Sequence, residues 1–191
     1  MADIRTQHFL YHLTDINNLN GIFSGGLKSR SLLHGFSDVA DPKIIASRHD
    51  LKLEEYVPFH FFARNPFDGR VHLDNPDKKF VLIAVRRSHA QANNWRIIPR
   101  HPLSGVVTTL LDYETGMNAI DWITMNLREY DNDECRRICM AECLSPETVP
   151  ARDFFSIYVP DAATENIVNT LKQRYGFTMH VNNNPHMFPG A

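Results

Sequence analysis

Residues 9–27 read FLYHLTDINNLNGIFSGGL, and no other stretch of the chain says as much about its fold. Residues 9–11 are aromatic and aliphatic, which favours a β-strand that delivers His12 to a turn. Thr14 or Asp15 then offers a side-chain oxygen to the first backbone N–H groups of a helix. The stretch therefore predicts a strand, a histidine and a helix in immediate succession.

The helix after Asp15 is predicted to be short and amphipathic. Its apolar residues recur three or four positions apart and share one face: Ile16, Leu19, Ile22 and Phe23. Gly25-Gly26 follows, and glycine readily adopts the positive φ angles that end a helix. We therefore expect the helix to stop at this pair.

The length and composition indicate one compact α+β domain over residues 1–191. The chain is 43% hydrophobic, which suffices for a buried core. Twenty basic and 22 acidic side chains give a formal net charge of -2. A general basic field is absent, so any nucleic acid would have to bind a local patch.

The cysteine pattern indicates a reducing compartment. Cys135, Cys139 and Cys143 lie four residues apart, and this odd number without a C-x-x-C pair favours neither a disulfide framework nor a zinc site. The sequence shows neither a signal peptide nor an apolar segment of about 20 residues. We expect a soluble cytoplasmic protein that does not enter a membrane.

Three further segments are predicted as strands. Residues 56–62 form an aromatic run in which Pro58 belongs at the start of a strand or on an edge strand. Residues 80–85, FVLIAV, fit a central strand buried on both faces. Residues 138–144, taken as a strand, place Glu142 in an apolar row, either at a solvent-facing edge or in a cleft.

Two helices are predicted outside the opening stretch. Asp41-Pro42 can start one, with Arg48 near its end, where an arginine is by itself an ordinary solvated charge. Asp161 can cap another, whose apolar residues recur every four positions until Gly176: Ala163, Ile167, Leu171 and Tyr175. A last strand follows at residues 177–181.

Basic and aromatic side chains are concentrated between residues 86 and 101. The cluster comprises Arg86, Arg87, His89, Trp95, Arg96, Arg100 and His101. Guanidinium groups pair with phosphates and flat rings stack on bases, so the cluster suits a single-stranded nucleic acid. It is equally compatible with ordinary surface charge around a buried tryptophan.

Three motifs in order resemble the DarT family, ADP-ribosyltransferases of bacterial toxin–antitoxin systems that modify bases in single-stranded DNA. They are Y-H-x-T at residues 11–14, Y-V-P-F-x-F at residues 56–61 and R-R-x-x-M-A-E at residues 136–142. The chain departs from the family at residues 65–67, where Asn-Pro-Phe replaces a frequent Ser-Pro-Met. A second departure is at residues 186–188, where His-Met-Phe replaces an aromatic pair.

The resemblance implies an ADP-ribosyltransferase-like split β-sheet core with peripheral helices. It implies NAD as a substrate, no required metal, thymidine in single-stranded DNA as the favoured acceptor, and a macrodomain-type antitoxin as a partner. The matching catalytic residues are Glu142, which would stabilise a ribosyl cation, and Arg48. The matching cofactor-binding residues are His12, Leu13, Thr14, Asn18, Leu19 and Tyr56.

The resemblance also implies a surface for the DNA strand. The segment from Ser104 to Asn132 would recognise the target, and the strand contacts would be Arg64, Arg86, Arg87 and Trp95. Several alternatives stay open on the sequence alone. The acceptor could instead be guanine in DNA, RNA or a protein side chain, and the chain could be a non-catalytic NAD- or nucleic-acid-binding module or an interaction protein.

Overall fold

The structure is a computed structural model that describes residues 3–33, 52–101 and 109–190. The strands in these ranges are β1 (Phe9–Asp15), β2 (Val57–His60), β3 (Phe80–Arg86), β4 (Arg96–Ile98), β5 (Glu142–Ser145), β6 (Ser156–Val159) and β7 (His180–Asn183). The α-helices are α1 (Leu19–Gly25), α2 (Pro66–Asp74), α3 (Arg87–Ala92), α4 (Tyr113–Ala119), α5 (Trp122–Leu127), α6 (Asp133–Ile138) and α7 (Ala162–Arg174).

The described strands form one sheet in the order β4-β5-β2-β1-β3-β6-β7. Only β6 and β7 run parallel; the other neighbours are antiparallel. β1 pairs with β3 along its whole length, but with β2 through the single pair Tyr11↔His60. The sheet is thus divided between β1 and β2, which confirms the expected α+β fold with a split sheet and helices at its periphery.

The central position of β3 follows from its sequence. All six residues of FVLIAV at positions 80–85 are buried. Alternate residues enter two different apolar clusters, one containing Val81, Ile83 and Val85 and the other Phe80, Leu82 and Ala84. The predicted strand that is buried on both faces is therefore confirmed.

The opening stretch folds largely as its pattern predicts. Asp15 accepts a hydrogen bond from the N–H of Asn17 (2.9 Å) and so caps a 3-10 turn that leads into α1. The apolar face of α1 is buried, and Gly26 follows with φ +82°. A Cβ at Gly26 would also lie 2.5 Å from Cγ2 of Thr148, so glycine is required here for two reasons.

The predicted turn at His12 is wrong. β1 continues through Asp15 because residues 13–15 pair with residues 80–82 of the apolar strand β3. His12 therefore lies in the middle of a strand, and its backbone is fixed by the ladder.

The predicted strand over residues 138–144 is correct only in its second half. Asn132 accepts a hydrogen bond from the N–H of Cys135 and caps α6, so Ile138 ends a helix. The chain turns at residues 139–140, and β5 begins at Glu142. The helix cap outweighs the alternating pattern because Cys135 and Ile138 both bury side chains on one helical face.

The helix after Asp161 is confirmed, but its buried face differs from the predicted one. Asp161 accepts a hydrogen bond from the N–H of Thr164 (2.7 Å), and Gly176 follows the helix with φ +70°. Thr164 and Val168 are the buried positions, whereas Ile167 is 46% exposed. The apolar repeat thus predicted the helix correctly but placed its buried face one position too early in the sequence.

Candidate active site

The division between β1 and β2 leaves backbone groups of β1 facing a gap. The N–H of Arg87 donates to the carbonyl of His8 (2.8 Å), so even-numbered residues of β1 direct their backbone groups toward β3. Tyr11 and Leu13 therefore direct theirs toward β2. In the part of the chain that the structure describes, β2 pairs with β1 only at Tyr11, so the N–H and C=O of Leu13 point into the gap.

His12 turns its side chain toward the gap from one face of the sheet. Its Nδ1 donates to the carbonyl of Pro58 in β2 (2.7 Å), and its ring lies 5.6 Å from that of Phe59. A carbonyl oxygen can only accept, so Nδ1 carries a proton. The imidazole thereby bridges the two halves of the sheet.

Pro58 occupies an interior strand, contrary to the prediction of a strand start or an edge strand. Its backbone faces the gap, as its carbonyl bond to His12 shows. Because β1 has no pairing partner for residue 58, the missing N–H of proline leaves no ladder bond unmade.

Arg87 joins β1 to β2 on the side of the Tyr11↔His60 pair that lies opposite to His12. Its guanidinium is buried and donates to three carbonyls, those of Phe9 (3.2 Å), Arg5 (3.1 Å) and Phe61 (2.9 Å). Burial lowers the pKa of Arg87, and its guanidinium lies 5.1 Å from the ring centre of Phe61. The prediction that Arg87 contacts DNA is corrected: the side chain is used inside the fold to hold β1 against β2.

Glu142 is the first residue of β5 and is only 6% exposed. It pairs with His60 of β2, which in turn pairs with Tyr11 of β1. Tyr11, the residue before His12, is thus two strands away from Glu142. This separation corresponds to about 10 Å between the two backbones. By strand alternation Glu142 shares a face with His60 and Tyr11, whereas His12 begins on the other face. The two side chains therefore start on opposite faces of the sheet, with β2 between their strands.

Two of the predicted cofactor-binding residues lie beside His12. Thr14 is buried on the same face of β1, and the Nδ2 of Asn18 donates to its Oγ1 (3.3 Å). The structure therefore brings His12, Thr14 and Asn18 together at the start of the strand-to-helix turn.

The side chains of Leu13 and Leu19 point away from the gap into the core. Leu13 is 5% exposed and packs in the cluster that contains Leu82, while Leu19 is fully buried in the other cluster. A contact of Leu13 with a ligand would therefore involve its backbone, and Leu19 supports α1 from within.

Tyr56 precedes β2 and is half-buried. It packs on an apolar cluster of Leu53, Ile98 and Leu144. Leu144 follows Glu142 by two positions in β5, so Tyr56 lies toward the face of Glu142. Arg48, the second predicted catalytic residue, lies outside the described residues, as does the predicted helix that contains it.

Arg64 and Arg86 are the predicted DNA contacts that remain exposed. Arg64 has φ +60°, a conformation held by its N–H bond to Asp68 Oδ2 (2.8 Å) and by the hydroxyl of Tyr130, which donates to its carbonyl (3.0 Å). The guanidinium of Arg86 lies 4.1 Å from the ring centre of Phe155. Their guanidinium groups are accessible to a strand of DNA.

Trp95 does not reach solvent, and the prediction that it contacts DNA is corrected. The side chain is 2% exposed, and its ring centre lies 5.0 Å from that of Phe59 and 5.6 Å from that of His89. It belongs to the core below β2 and β4, so it cannot stack on a base in this conformation. For Trp95 the alternative of a buried tryptophan flanked by surface charge is the correct one.

The three cysteines are reduced and buried. The sulfur atoms of Cys135 and Cys139 are 4.0 Å apart, and burial raises the pKa of the Cys139 thiol to about 12. Within residues 3–33, 52–101 and 109–190, no group of three or more His, Cys, Asp or Glu side chains could hold a metal ion. Over the same ranges, no helix combines the length and hydropathy needed to cross a bilayer.

A family model described as "ssDNA thymidine ADP-ribosyltransferase, DarT" matches residues 11–189. A curated relative from Thermosipho africanus (strain H17ap60334) is 27% identical in an alignment of 172 positions that covers 80% of this chain. That relative is a DNA ADP-ribosyl transferase-DNA ADP-ribosyl glycohydrolase fusion protein, and the match spans 42% of its length.

Three solved structures share the fold. Thermus sp. 2.9 DarT in complex with ADP-ribosylated ssDNA has a TM-score of 0.81 at 18% identity, covering 95% of this chain and 96% of that one. The same protein in complex with NAD+ has a TM-score of 0.76 at 17% identity, covering 96% and 98%. Thermosipho africanus DarTG in complex with ADP-ribose has a TM-score of 0.72 at 23% identity, covering 95% of this chain and 51% of that one.

Proposed function

This chain belongs to the DarT family, whose model is described as ssDNA thymidine ADP-ribosyltransferase, and on that premise we propose that it transfers ADP-ribose from NAD to thymidine in single-stranded DNA. The observation that carries the proposal is the buried carboxyl side chain of Glu142, which lies in one cross-strand row with His60 and Tyr11, where β1 and β2 make their single pair. A carboxylate beside a dividing sheet suits a reaction that develops positive charge on a sugar.

NAD is proposed to bind with its nicotinamide in the gap between β1 and β2. The carboxamide of nicotinamide has both an N–H donor and a C=O acceptor, and the backbone of Leu13 offers the complementary C=O and N–H there. His12, Thr14 and Asn18 are proposed to hold the attached ribose, and Tyr56 to pack against the nicotinamide ring.

In the proposed reaction the bond between ribose C1′ and the nicotinamide nitrogen breaks first. The bonding electrons leave with nicotinamide, which departs as a neutral molecule, and C1′ becomes part of a ribosyl cation. A base nitrogen of thymidine then bonds to C1′ and loses its proton. The carboxylate of Glu142 stabilises the cation through the ribose hydroxyl and accepts that proton.

The DNA strand is proposed to contact the exposed guanidinium groups of Arg64 and Arg86. Arg48 is proposed to pair with the diphosphate of NAD or to polarise the acceptor, since arginine binds phosphate oxygens in a bidentate manner. The segment from Ser104 to Asn132 is proposed to recognise the target base. No metal takes part in this scheme.

We further propose a biological setting for the reaction. Residues 1–191 are taken as one ADP-ribosyltransferase domain acting in the cytoplasm, where DNA and NAD are both present. The fusion of transferase and glycohydrolase in the Thermosipho africanus relative supports a macrodomain-type antitoxin that removes the ADP-ribose.

The acceptor is tested by incubating the full chain with NAD and a panel of single-stranded homopolymers. We expect oligo-dT to gain one ADP-ribose per modified thymidine by mass analysis, while oligo-dA, oligo-dC and oligo-dG stay unchanged. Uridine-containing RNA and the protein itself are tested in parallel as alternative acceptors. Modification of oligo-dG, RNA or protein with unmodified oligo-dT would replace thymidine as the acceptor.

A further inference from the structure

Glu142 faces a second buried titratable side chain directly across the ladder. The carbonyl of Pro58 points toward β1, so His60, two positions on, also directs its backbone groups toward β1. The pair His60↔Glu142 between β2 and β5 is therefore a non-hydrogen-bonded pair. In such pairs the side chains are closest, with Cβ atoms about 4.5–5.5 Å apart.

The far side of β5 independently supports this arrangement. The N–H of Ile97 donates to the carbonyl of Leu111 (2.9 Å), and the N–H of Leu111 donates to the carbonyl of Ile97 (3.0 Å). The backbone groups of Ile97 therefore point away from β5. Its neighbour Ile98 therefore bonds to β5, and Ile98 pairs with Glu142. The backbone groups of Glu142 thus point toward β4, which leaves its contact with His60 to the side chains.

The imidazole of His60 is held in one orientation. It is 5% exposed, its Nδ1 donates to the carbonyl of Ala141 (3.3 Å), and its ring centre lies 5.2 Å from that of Phe67. Because a carbonyl only accepts, the proton on Nδ1 is fixed, and Nε2 is the nitrogen that can interact with another group. Phe67 is one of the residues at which this chain departs from the Ser-Pro-Met of the family it resembles.

We propose that His60 is a positioning residue for Glu142, a role that rests on the proposed function. Its bond to Ala141 fixes the backbone immediately before Glu142, and its side chain leaves the sheet directly opposite that of Glu142. A buried carboxylate must be held by neighbouring groups, and its orientation decides how well it stabilises charge on the sugar. His60 therefore contributes to the rate of the reaction rather than to the affinity for NAD.

The test compares isosteric variants of His60. His60→Asn keeps an N–H near the position of Nδ1 and removes Nε2, whereas His60→Gln keeps a nitrogen near the position of Nε2. His72→Asn is the matched control, because the Nδ1 of His72 also donates to a backbone carbonyl, that of Asp68 (2.8 Å), and its ring packs on Phe80. Each variant is assayed for nicotinamide release from NAD, transfer to oligo-dT, KM for NAD and melting temperature.

We expect His60→Asn to lower kcat at least tenfold, with KM for NAD within twofold and the melting temperature within a few degrees of wild type. His60→Gln should recover part of the loss, and His72→Asn should keep the wild-type kcat. In a Glu142→Gln background, His60→Asn should change the residual rate less than twofold, because its effect passes through the carboxylate.

A wild-type kcat in His60→Asn overturns the positioning role, as does an equal loss in the Glu142→Gln background. Failure of the proposed acceptor gives a different result: wild type releases nicotinamide but does not modify DNA. The rate of nicotinamide release then still decides the role of His60. A wild-type protein without either activity overturns both proposals.

Discussion

At the scale of single residues, Glu142 owes its surroundings to partners that are distant in sequence. The alternation of residues 138–144 placed its side chain in an apolar row, but it did not say whether that row faced solvent or a cleft. The neighbours of Glu142 are His60 and Ile98, and their identity depends on the register of three strands. A single chain contains no local signal for such a register, which is why His60 was not found from the sequence.

Asp68 is a buried acid whose ionisation opposes folding. It accepts an N–H bond from Arg64 at the start of α2, and burial raises its pKa from an ordinary 3.8 to about 7. The folded protein therefore binds a proton more tightly than the unfolded chain, so stability falls as pH rises from about 4 to 7. Above pH 7 the ionised carboxylate costs the folded state on the order of 4 kcal/mol.

The predicted consequence is that Asp68→Asn stabilises the protein more at pH 8 than at pH 5. The amide keeps an oxygen that accepts the N–H of Arg64 but never becomes charged. Urea unfolding of wild type and variant at both pH values measures the difference. Parallel stability curves with the same pH dependence would show that Asp68 does not titrate with the proposed pKa.

Arg48 is predicted to be required for transfer. Its replacement by alanine should lower the rate at least tenfold, which corresponds to about 1.4 kcal/mol of transition-state stabilisation. Arg70→Ala is a suitable control, since Arg70 is an exposed arginine that pairs with Asp74 on α2. Equal rates for the two variants in a single-turnover assay would make Arg48 a surface charge.

At the scale of elements, adjacent residues with the same side chain acquire different tasks. Arg86 ends β3 and is exposed, whereas Arg87 begins α3 and is buried against the gap in the sheet. From the sequence, both arginines were predicted to contact the DNA strand, because the sequence could not show where β3 ends. The runs that were predicted correctly, FVLIAV and the face of α1, are those in which local pattern and tertiary packing agree.

Arg87→Met is predicted to destabilise the fold far more than Arg86→Met. The first change leaves the buried carbonyl of Phe61 and the partly buried carbonyls of Arg5 and Phe9 without their guanidinium donor, at a cost of about 2–4 kcal/mol. The second removes an exposed cation from Phe155 and should cost less than about 1 kcal/mol. Urea unfolding compares the two, and similar losses would contradict the role given to Arg87.

At the scale of the whole molecule, a net charge of -2 means that DNA binding depends on a few local cations. Arg86→Met should weaken the affinity for oligo-dT and reduce the magnitude of the slope of log affinity against log salt by about 0.7. Arg70→Met should leave both quantities unchanged. Fluorescence anisotropy titrations between 50 and about 200 mM salt provide the measurement, and an unaltered slope for Arg86→Met would place the strand elsewhere.

The sheet as a whole shows what a single sequence can and cannot predict. The divided sheet was predicted only through the resemblance to the DarT family, which the three motifs carry. The sequence could not indicate that Arg87 and His12 hold the two halves together on either side of Tyr11↔His60. Those contacts join side chains to backbone carbonyls. Every residue has a carbonyl, so the sequence does not show which carbonyl a side chain will contact.

The most direct test of the account is the rate of ADP-ribose transfer from NAD to oligo-dT by Glu142→Gln. Glu147→Gln, which changes an exposed glutamate just beyond β5, is the control. We predict that Glu142→Gln loses transfer by about 100-fold or more while NAD affinity by calorimetry and melting temperature stay near wild type. A Glu142→Gln protein that modifies oligo-dT at the rate of Glu147→Gln would contradict the central claim.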